Sequence, residues 1–364
     1  TLFYAVSEMR IYRRYLAREM AGAIGLVLAG FLALFGFFDL FAEVSNIGKG
    51  DYQIRHAFAF VALRMPGRIY ELMPIAVLIG TLYSLSTLAR HSEITVLRVS
   101  GMSTRNLLSG LFQVAAVFAL ITFLIGELVA PPAERAAQQL RLTQKGRTIE
   151  GMRSGLWVKD ERSFINVQVV LLDTQLRGIR IYNFDDKAML RSVTDAAEGV
   201  YIPPASWRLT GVVQTILHDD RSEVVRMPDM EWHSALNPDI LAVLVVAPER
   251  MSLLHLTAYI RHLAENSQKT QRYDIALWKK LIYPLAALVM VALALPFGYT
   301  HNRVGGVSLK IFSGVMIGVF FHMLNGLFSN LGVINSWSPA ISAIAPSALF
   351  MLVAMGMIGW VERR

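Results

Sequence analysis

Apolar residues are distributed along this chain in two different patterns. Runs of about 20 apolar residues, the length needed to cross a hydrocarbon core about 30 Å thick, fall at about 21–42, 70–89, 107–130, 277–298, 309–330 and 339–360. Between the third and fourth runs the period changes. LWVKD, SFINVQVV, RGIRIYNF, AMLRSVT, EGVYI, SWRLTGVVQTILH and EVVRM are short β-branched or aromatic stretches of alternating polarity. Turn pairs such as Asp185-Asp186, Pro203-Pro204 and Asp219-Asp220 divide them. That pattern predicts an antiparallel sandwich or barrel, not βαβ units. Pro131 and Pro132 read as the end of the third run, residues 133–150 as polar and helix-prone, and Ser252 as the cap of a helix over LLHLTAYIRHLAEN.

The pattern therefore predicts a polytopic α-helical membrane protein, six spans with one inserted antiparallel β domain. Its divisions are 1–132 (N-terminal membrane half), 133–275 (β domain with flanking helices) and 276–364 (C-terminal membrane half). A hydrophobic content of 54% and a mean hydropathy of +0.44 agree with lipid as the medium for much of the chain. The first apolar run is too long for a signal h-region and lacks a small-residue cleavage site, so it reads as a retained span preceded by a basic lead-in, RIYRRYLAREM.

Charge sets the expected orientation. Arg10, Arg13, Arg14, Arg18, Arg90, Arg98 and Arg105 fall on one side of the spans, and fewer basic residues fall in the short loops opposite. By the positive-inside rule both termini are cytoplasmic and the β domain is extracytoplasmic. The net charge of +8 then belongs to topology and anionic head groups, and no aromatic-interleaved basic stripe suggests nucleic acid. With no cysteine, disulfides and thiolate chemistry are excluded. The sequence contains no G-x-x-x-x-G-K-[ST], H-E-x-x-H or G-x-S-x-G, so nothing points to a nucleotide, metal or catalytic serine site in this chain, and no cofactor is expected.

Two polar features stand out. After the second run, Arg90-His91-Ser92-Glu93-Ile94-Thr95-Val96-Leu97-Arg98-Val99-Ser100-Gly101 reads as a short helix capped by Ser92 and stopped by Gly101. It would present Ile94, Leu97 and Arg98, a shape suited either to docking in a partner's groove or to an ordinary interfacial position. The second feature is a set of cations that break the positive-inside trend: Arg55, Arg64, Arg68, Arg135, Arg141, Lys279 and Lys280. They suit phosphate contact, or else snorkelling and pairing with Glu71, Glu127 or Glu134. Asp39 and Glu43 are expected to be ion-paired, with Arg64 or Arg68 among the available partners, because an unpaired carboxylate in lipid is costly. His322 and Asn325 share a helical face at i, i+3 and read as hydrogen-bonding residues between helices. In the β region, Trp157, Phe164, Ile165, Val167, Ile179, Ile181, Tyr182 and Trp207 are the expected inward set, forming either a groove or a closed core.

The segment S-E-[LIV]-x-x-[LM]-[RQ]-x-S-G at 92–101 resembles the coupling helix of the LptF/LptG family of lipopolysaccharide export permeases. Asp39 with Gly48-Lys49-Gly50-Asp51-Tyr52, Val129-Ala130-Pro131, Gly155 to Asp160 (GLWVKD), Arg272-Tyr273 and Trp278-Lys279 are similar to the same family, and GLWVKD most resembles its LptG branch. The resemblance implies a periplasmic β-jellyroll and an inner-membrane permease paired with an LptF-type sister permease. It also implies a dimeric cytoplasmic ABC ATPase that supplies ATP and Mg chemistry, and periplasmic jellyroll bridge proteins that receive lipopolysaccharide. Ser92, Glu93, Ile94, Leu97, Arg98 and Gly101, within a coupling helix at about 90–104, would then meet the ATPase. Spans one and five would line a lateral gate through Phe31, Phe35, Phe38, Phe320, Phe321 and Leu324. Arg55, Arg64, Arg68, Arg135 and Arg141 would contact lipopolysaccharide. The family's G-type members often carry lysine near Asp39, whereas GFFDLFAE here is acidic and aromatic. Two other expectations remain, a scaffold whose β domain recruits partners without moving substrate and a proton-driven carrier using Asp39 or His322.

Overall fold

A computed structural model describes the chain except residues 1, 94–95, 97–98, 100–103, 145–154, 161, 172–174, 186, 188, 204–205, 219, 235–246, 267, 300–306 and 363–364, and except the side chains of 2–11, 104–105, 142–143, 169–171, 298–299, 307 and 361–362. It divides into two compact units. One, the helical unit, comprises residues 1–39, 64–133 and 271–364, and the other, the β unit, comprises residues 40–63 and 134–270.

Among the described residues six spans are long and apolar enough to cross a membrane: Tyr12–Val44, Ile54–Arg90, Asn106–Arg141, Gln271–Phe297, Ser308–Ile334 and Pro339–Trp360. The helices that carry them are α1 (Leu2–Val44), α2 (Ile54–Arg90), α3 (Thr104–Leu124), α4 (Ala130–Gln144), α6 (Gln271–Ile282), α7 (Ala286–Tyr299), α8 (Val307–Ile334) and α9 (Pro339–Glu362), with α5 (Leu253–Glu265) lying outside them.

Three boundaries differ from the sequence expectation, each at a proline or a helix end. The basic lead-in continues without a break into the first span as one 43-residue helix. The second span begins at Ile54, with Pro66 and Pro74 inside the helix. Pro131 and Pro132 do not end the third span. A π-helical turn, Ile125–Val129, precedes them, so the prolines fall in the first turn of α4, where a missing N–H costs least. At Pro284 a 3₁₀ turn, Tyr283–Leu285, separates α6 from α7.

The core of the helical unit is centred on α2 and α7, whose Leu78, Leu82, Leu85, Met290, Val291 and Ala294 are fully or almost fully buried against Leu16, Met20 and Ile24 of α1. Gly80 lets α1 and α2 approach closely, since a Cβ there would lie 2.7 Å from the Ile24 backbone. Small residues at such contacts are how helices gain packing where no hydrophobic force separates them from lipid.

The β unit contains an antiparallel domain, as the alternation predicts. Its strands are β1 (Leu156–Asp160), β2 (Ser163–Leu171), β3 (Gln175–Phe184), β4 (Leu190–Ile202), β5 (Ser206–Leu217) and β6 (Ser222–His233). Among the described residues they form one six-stranded sheet in sequence order, so each strand pairs with its predecessor through a hairpin. AMLRSVT and EGVYI are two halves of one strand, β4.

The inward face buries Leu156, Val158, Ile165, Val167, Leu176, Ile179, Ile181, Trp207, Leu209 and Val212 in one cluster. Trp157 and Phe164, expected inward, are instead exposed at 50% and 43%. Each is sequence-adjacent to a buried partner, and period-two alternation sends neighbours to opposite faces.

One row breaks that alternation. On β3 and β5 the inward set steps by three residues, from Leu176 to Ile179 and from Leu209 to Val212, passing Gly178 and Gly211. Both glycines have left-handed backbones, φ +61° and +64°, a conformation that strains any residue with a Cβ. Between pairs Arg177↔Glu198 and Ile179↔Ala196 on one side, and Asp195↔Val213 and Glu198↔Thr210 on the other, the register aligns Gly178, Ala197 and Gly211 across three strands.

Candidate functional site

The ionic groups of the first two helices meet at Asp39. Arg64, Arg68 and Glu71 follow one another at i, i+4 and i+7 on α2, so they share a face. The Arg68 guanidinium grips Asp39 with both arms, Nε to Oδ2 at 2.9 Å and Nη2 to Oδ1 at 2.6 Å, and donates from Nη1 to Glu71 Oε2 at 3.0 Å. Arg64 lies 3.8 Å from Asp39, and the Arg68 guanidinium carbon sits 5.5 Å from the centre of the Phe35 ring. Two cations thus face two carboxylates, and the group is neutral. It is the ion-paired arrangement expected for Asp39, and it spends most of Arg68's donors inside the chain.

A second pair lies at the π turn. Lys280 of α6, only 5% exposed, reaches Glu127 at 3.3 Å. Beside it the Tyr70 and Tyr283 rings meet at 5.1 Å, and the Tyr283 hydroxyl donates to the Glu71 carbonyl at 2.6 Å. The two tyrosines carry no sequence signal of this role, because each sits in an apolar span like any core aromatic. Lys279 donates to the Asn325 carbonyl at 3.5 Å. His322 and Asn325 do not act together: Asn325 is buried and donates to the Phe321 carbonyl of its own helix at 3.1 Å, whereas His322 is exposed.

The remaining outward-set cations belong to the β unit. Arg141 is 3.8 Å from Glu43 and 5.4 Å from the Phe60 ring centre. Glu43 also accepts from Asn46 at 2.8 Å and from the Tyr52 hydroxyl at 3.2 Å. Burial, and then the nearby Glu43 carboxylate, push the Tyr52 phenol well above its ordinary range. Arg135 contacts His255 Nδ1 at 3.2 Å, while Glu134 accepts from Arg250 at 2.8 Å and from Gln138 at 3.0 Å. Ser252 caps α5 as its sequence suggests, accepting from the His255 amide at 3.3 Å. Arg55 is exposed and makes no ion pair among the described residues.

The apolar candidates separate by burial. Phe38 and Phe320 are exposed at 55% and 57%, and Phe31, Phe35 and Leu324 are partly buried. Phe321 is a core residue instead, 1% exposed and edge-on to Phe350 at 5.1 Å. A stripe of exposed α8 residues, Phe312, Met316, Val319, Met323 and Leu327, runs along one side of that helix, with Phe320 beside it meeting Phe350 at 6.1 Å.

In the segment after α2, Ser92 stands at the first position of a helical turn with φ +59°, its carbonyl accepting from Val96 N at 3.0 Å. Glu93 accepts from the Tyr15 hydroxyl of α1 at 3.3 Å, a positioning contact that the local motif could not reveal. Ile94, Leu97, Arg98 and Gly101 lie outside the described residues.

Comparison with known proteins accounts for this layout. The model of the family "Lipopolysaccharide export system permease LptF/LptG" matches residues 14–360, almost the whole chain. The chain belongs to that family. LptG of Escherichia coli K12 is 29% identical over 351 residues, covering 95% of this chain and 97% of that protein. LptG of Haemophilus influenzae is 29% identical over 353 residues, 96% and 98% of the two chains. The LptF/LptG match takes in the motif at 92–101, all six spans and the inserted sheet, and both relatives carry the G-type name that GLWVKD suggested. Among the described residues no cluster of metal-ligating side chains accompanies these features.

Proposed function

We propose that this chain is the G-type permease subunit of an ATP-driven exporter in the bacterial inner membrane. It extracts lipopolysaccharide and hands it to a periplasmic jellyroll bridge leading to the outer membrane. The observation that carries the reading is the family match from residue 14 to 360, which joins the coupling-type segment, the spans and the β domain in one chain. A permease of this kind works with an LptF-type sister and a dimeric cytoplasmic ATPase. Nucleotide hydrolysis in this reading belongs to that partner, and the sequence offers no phosphate loop of its own. In this reading both termini are cytoplasmic, the β domain is periplasmic, and the segment at about 90–104 is the joint, with Glu93 held by Tyr15 and Leu97 as its apolar knob.

Lipopolysaccharide carries phosphates and acyl chains, and the two needs fall on different residues. Arg55, exposed and without an ion pair, is the first phosphate contact. Arg64, Arg135 and Arg141 are secondary ones, and Arg68 acts mainly by holding Asp39 in place. Phe31, Phe35, Phe38 and Phe320, with Leu324, form the acyl-facing part of the gate.

Co-purification with the ATPase and the sister permease tests the proposal, with ATPase rate and bound lipopolysaccharide read on the same sample. A complex that carries lipopolysaccharide and loses coupling in Glu93→Ala and Leu97→Asp supports it. A wild-type chain that purifies without ATPase or lipopolysaccharide overturns it in favour of a scaffold.

A further inference from the structure

The outward face of the β sheet holds a shallow groove of about 250 Å³, lined by Asn166, Gln168, Gly178, Arg180, Asp195 and Ala197, among others. Its floor is the row where Gly178, Ala197 and Gly211 align. The Gln168 side chain lies over Gly178, where an added Cβ would meet its Oε1 at 2.7 Å, while Ala197 and Gly211 present nothing larger than a methyl. One bank is a cross-strand row on a single face: Trp157 pairs with Asn166, Asn166 with Arg180, and Arg180 with Asp195. Arg180 Nε donates to Asp195 Oδ1 at 2.5 Å while both side chains remain about half exposed. That hydrogen bond, ahead of any other cause, raises the guanidinium pKa. Trp157, half exposed on β1, stacks on Tyr182 of β3 with ring centres 5.7 Å apart and planes 20° from parallel.

An exposed indole braced by a tyrosine gives the outward face a rigid flat apolar surface beside hydrogen-bonding side chains. An apolar flat surface next to planar amides and a fixed Arg–Asp pair matches one chemistry closely. A pyranose ring has an apolar C–H face that packs on an aromatic ring, and its vicinal hydroxyls take paired hydrogen bonds from amide, guanidinium and carboxylate groups. An extended peptide would instead be expected to seek the free backbone of an edge strand, and the groove lies on the face, across β2 to β5.

We propose that this groove binds a saccharide. One sugar ring packs against Trp157, and hydroxyls of the same glycan reach Asn166, Gln168 and the Arg180–Asp195 pair beside the small-residue floor at Ala197 and Gly211. The sugar comes either from the oligosaccharide head of a glycolipid or from a soluble glycan of the cell wall. Binding here is independent of whether the chain exports anything.

The test is saturation-transfer NMR on the full chain in detergent, with two lipid-free probes. One is the core oligosaccharide released from lipopolysaccharide by mild acid, and the other is the glycan fragments released from peptidoglycan by muramidase. Trp157→Ala is expected to weaken binding about tenfold, the loss of one aromatic contact. Ala197→Gln, an exposed position that fills the floor without touching the core, is expected to abolish it while the melting temperature stays unchanged. A signal with the first probe supports the site with a glycolipid source, and a signal with the second supports it with a cell-wall source. No signal with either probe on wild type, or equal signals in wild type and both folded variants, overturns the proposal. Export is not read in this experiment, so the permease reading fails or survives separately.

Discussion

Ion pairs in the helical unit and in the β sheet look alike in chemistry and differ in surroundings. Arg68–Asp39 and Lys280–Glu127 are mostly withdrawn from water, with side-chain exposures of 22% and 11% for the first and 5% and 15% for the second. Arg180–Asp195 and Arg177–Glu198 join neighbouring strands with exposures between 37% and 54%. Water screens the second kind, and such pairs contribute little to stability. The first kind sits where little water can replace the lost partner, so losing one member costs part of the desolvation of the other. Charge in the spans therefore fixes geometry, whereas charge on the sheet is free to serve recognition.

Four experiments break or sharpen this contrast. The largest effect is expected from an apolar change, which sets the scale. Trp207 is fully buried in the sheet core, and Trp207→Ala should cost about 4 kcal/mol, seen as loss of the β-unit transition in thermal unfolding. Lys280→Ala should cost about 3 kcal/mol by removing the buried cation paired with Glu127. The double change Glu127→Gln with Lys280→Met should recover much of that loss, and failure to recover would mean that packing rather than charge holds the site. Arg68→Ala should cost about 2 kcal/mol, and Arg68→Lys should recover only part, because an ammonium cannot span both Asp39 oxygens. On the sheet, Arg180→Ala should change stability by less than about 0.5 kcal/mol. A cost similar to that of Arg68→Ala would erase the distinction.

The smallest effect is on pH dependence. Asp185 organises the β3–β4 turn by accepting from the Met189 and Lys187 amides at 2.8 and 2.9 Å and from Arg191 at 2.8 Å. The Met189 amide first, with help from Arg191 and Lys187, holds its carboxyl below the ordinary value of 3.8. A carboxyl lowered on folding contributes stability above its unfolded value and loses it as pH falls through the folded value. Asp185→Asn should thus remove a small contribution at neutral pH, lowering stability there slightly, and flatten the acid limb of the unfolding curve below about pH 4.

How far the molecule could be read in advance varies by feature. The spans follow from apolar length, and the strands follow from alternation and turn residues. Asp39's partners were legible because few cations stand near it in the chain and an unpaired carboxylate in lipid is costly. Pro131 and Pro132 misled, because proline punctuates an isolated helix and here the π turn before them lets the helix continue. Phe321 could not be told from Phe320, since adjacent residues in an apolar helix differ only in which way they face, and α9 decides it through Phe350. Trp157 and Phe164 drew attention as large aromatics, but the register places them on the outward face.

The sequence by itself determined the medium, the number of spans, the inserted antiparallel domain and the family, because apolar run length, period and local motifs are properties of consecutive residues. Only the tertiary structure decided that Tyr15 holds Glu93, that Lys280 meets Glu127 at a π turn, and that Gly178, Ala197 and Gly211 line up across three strands. Each of those depends on residues far apart in the chain meeting at a few ångströms, and a one-dimensional pattern does not encode that distance.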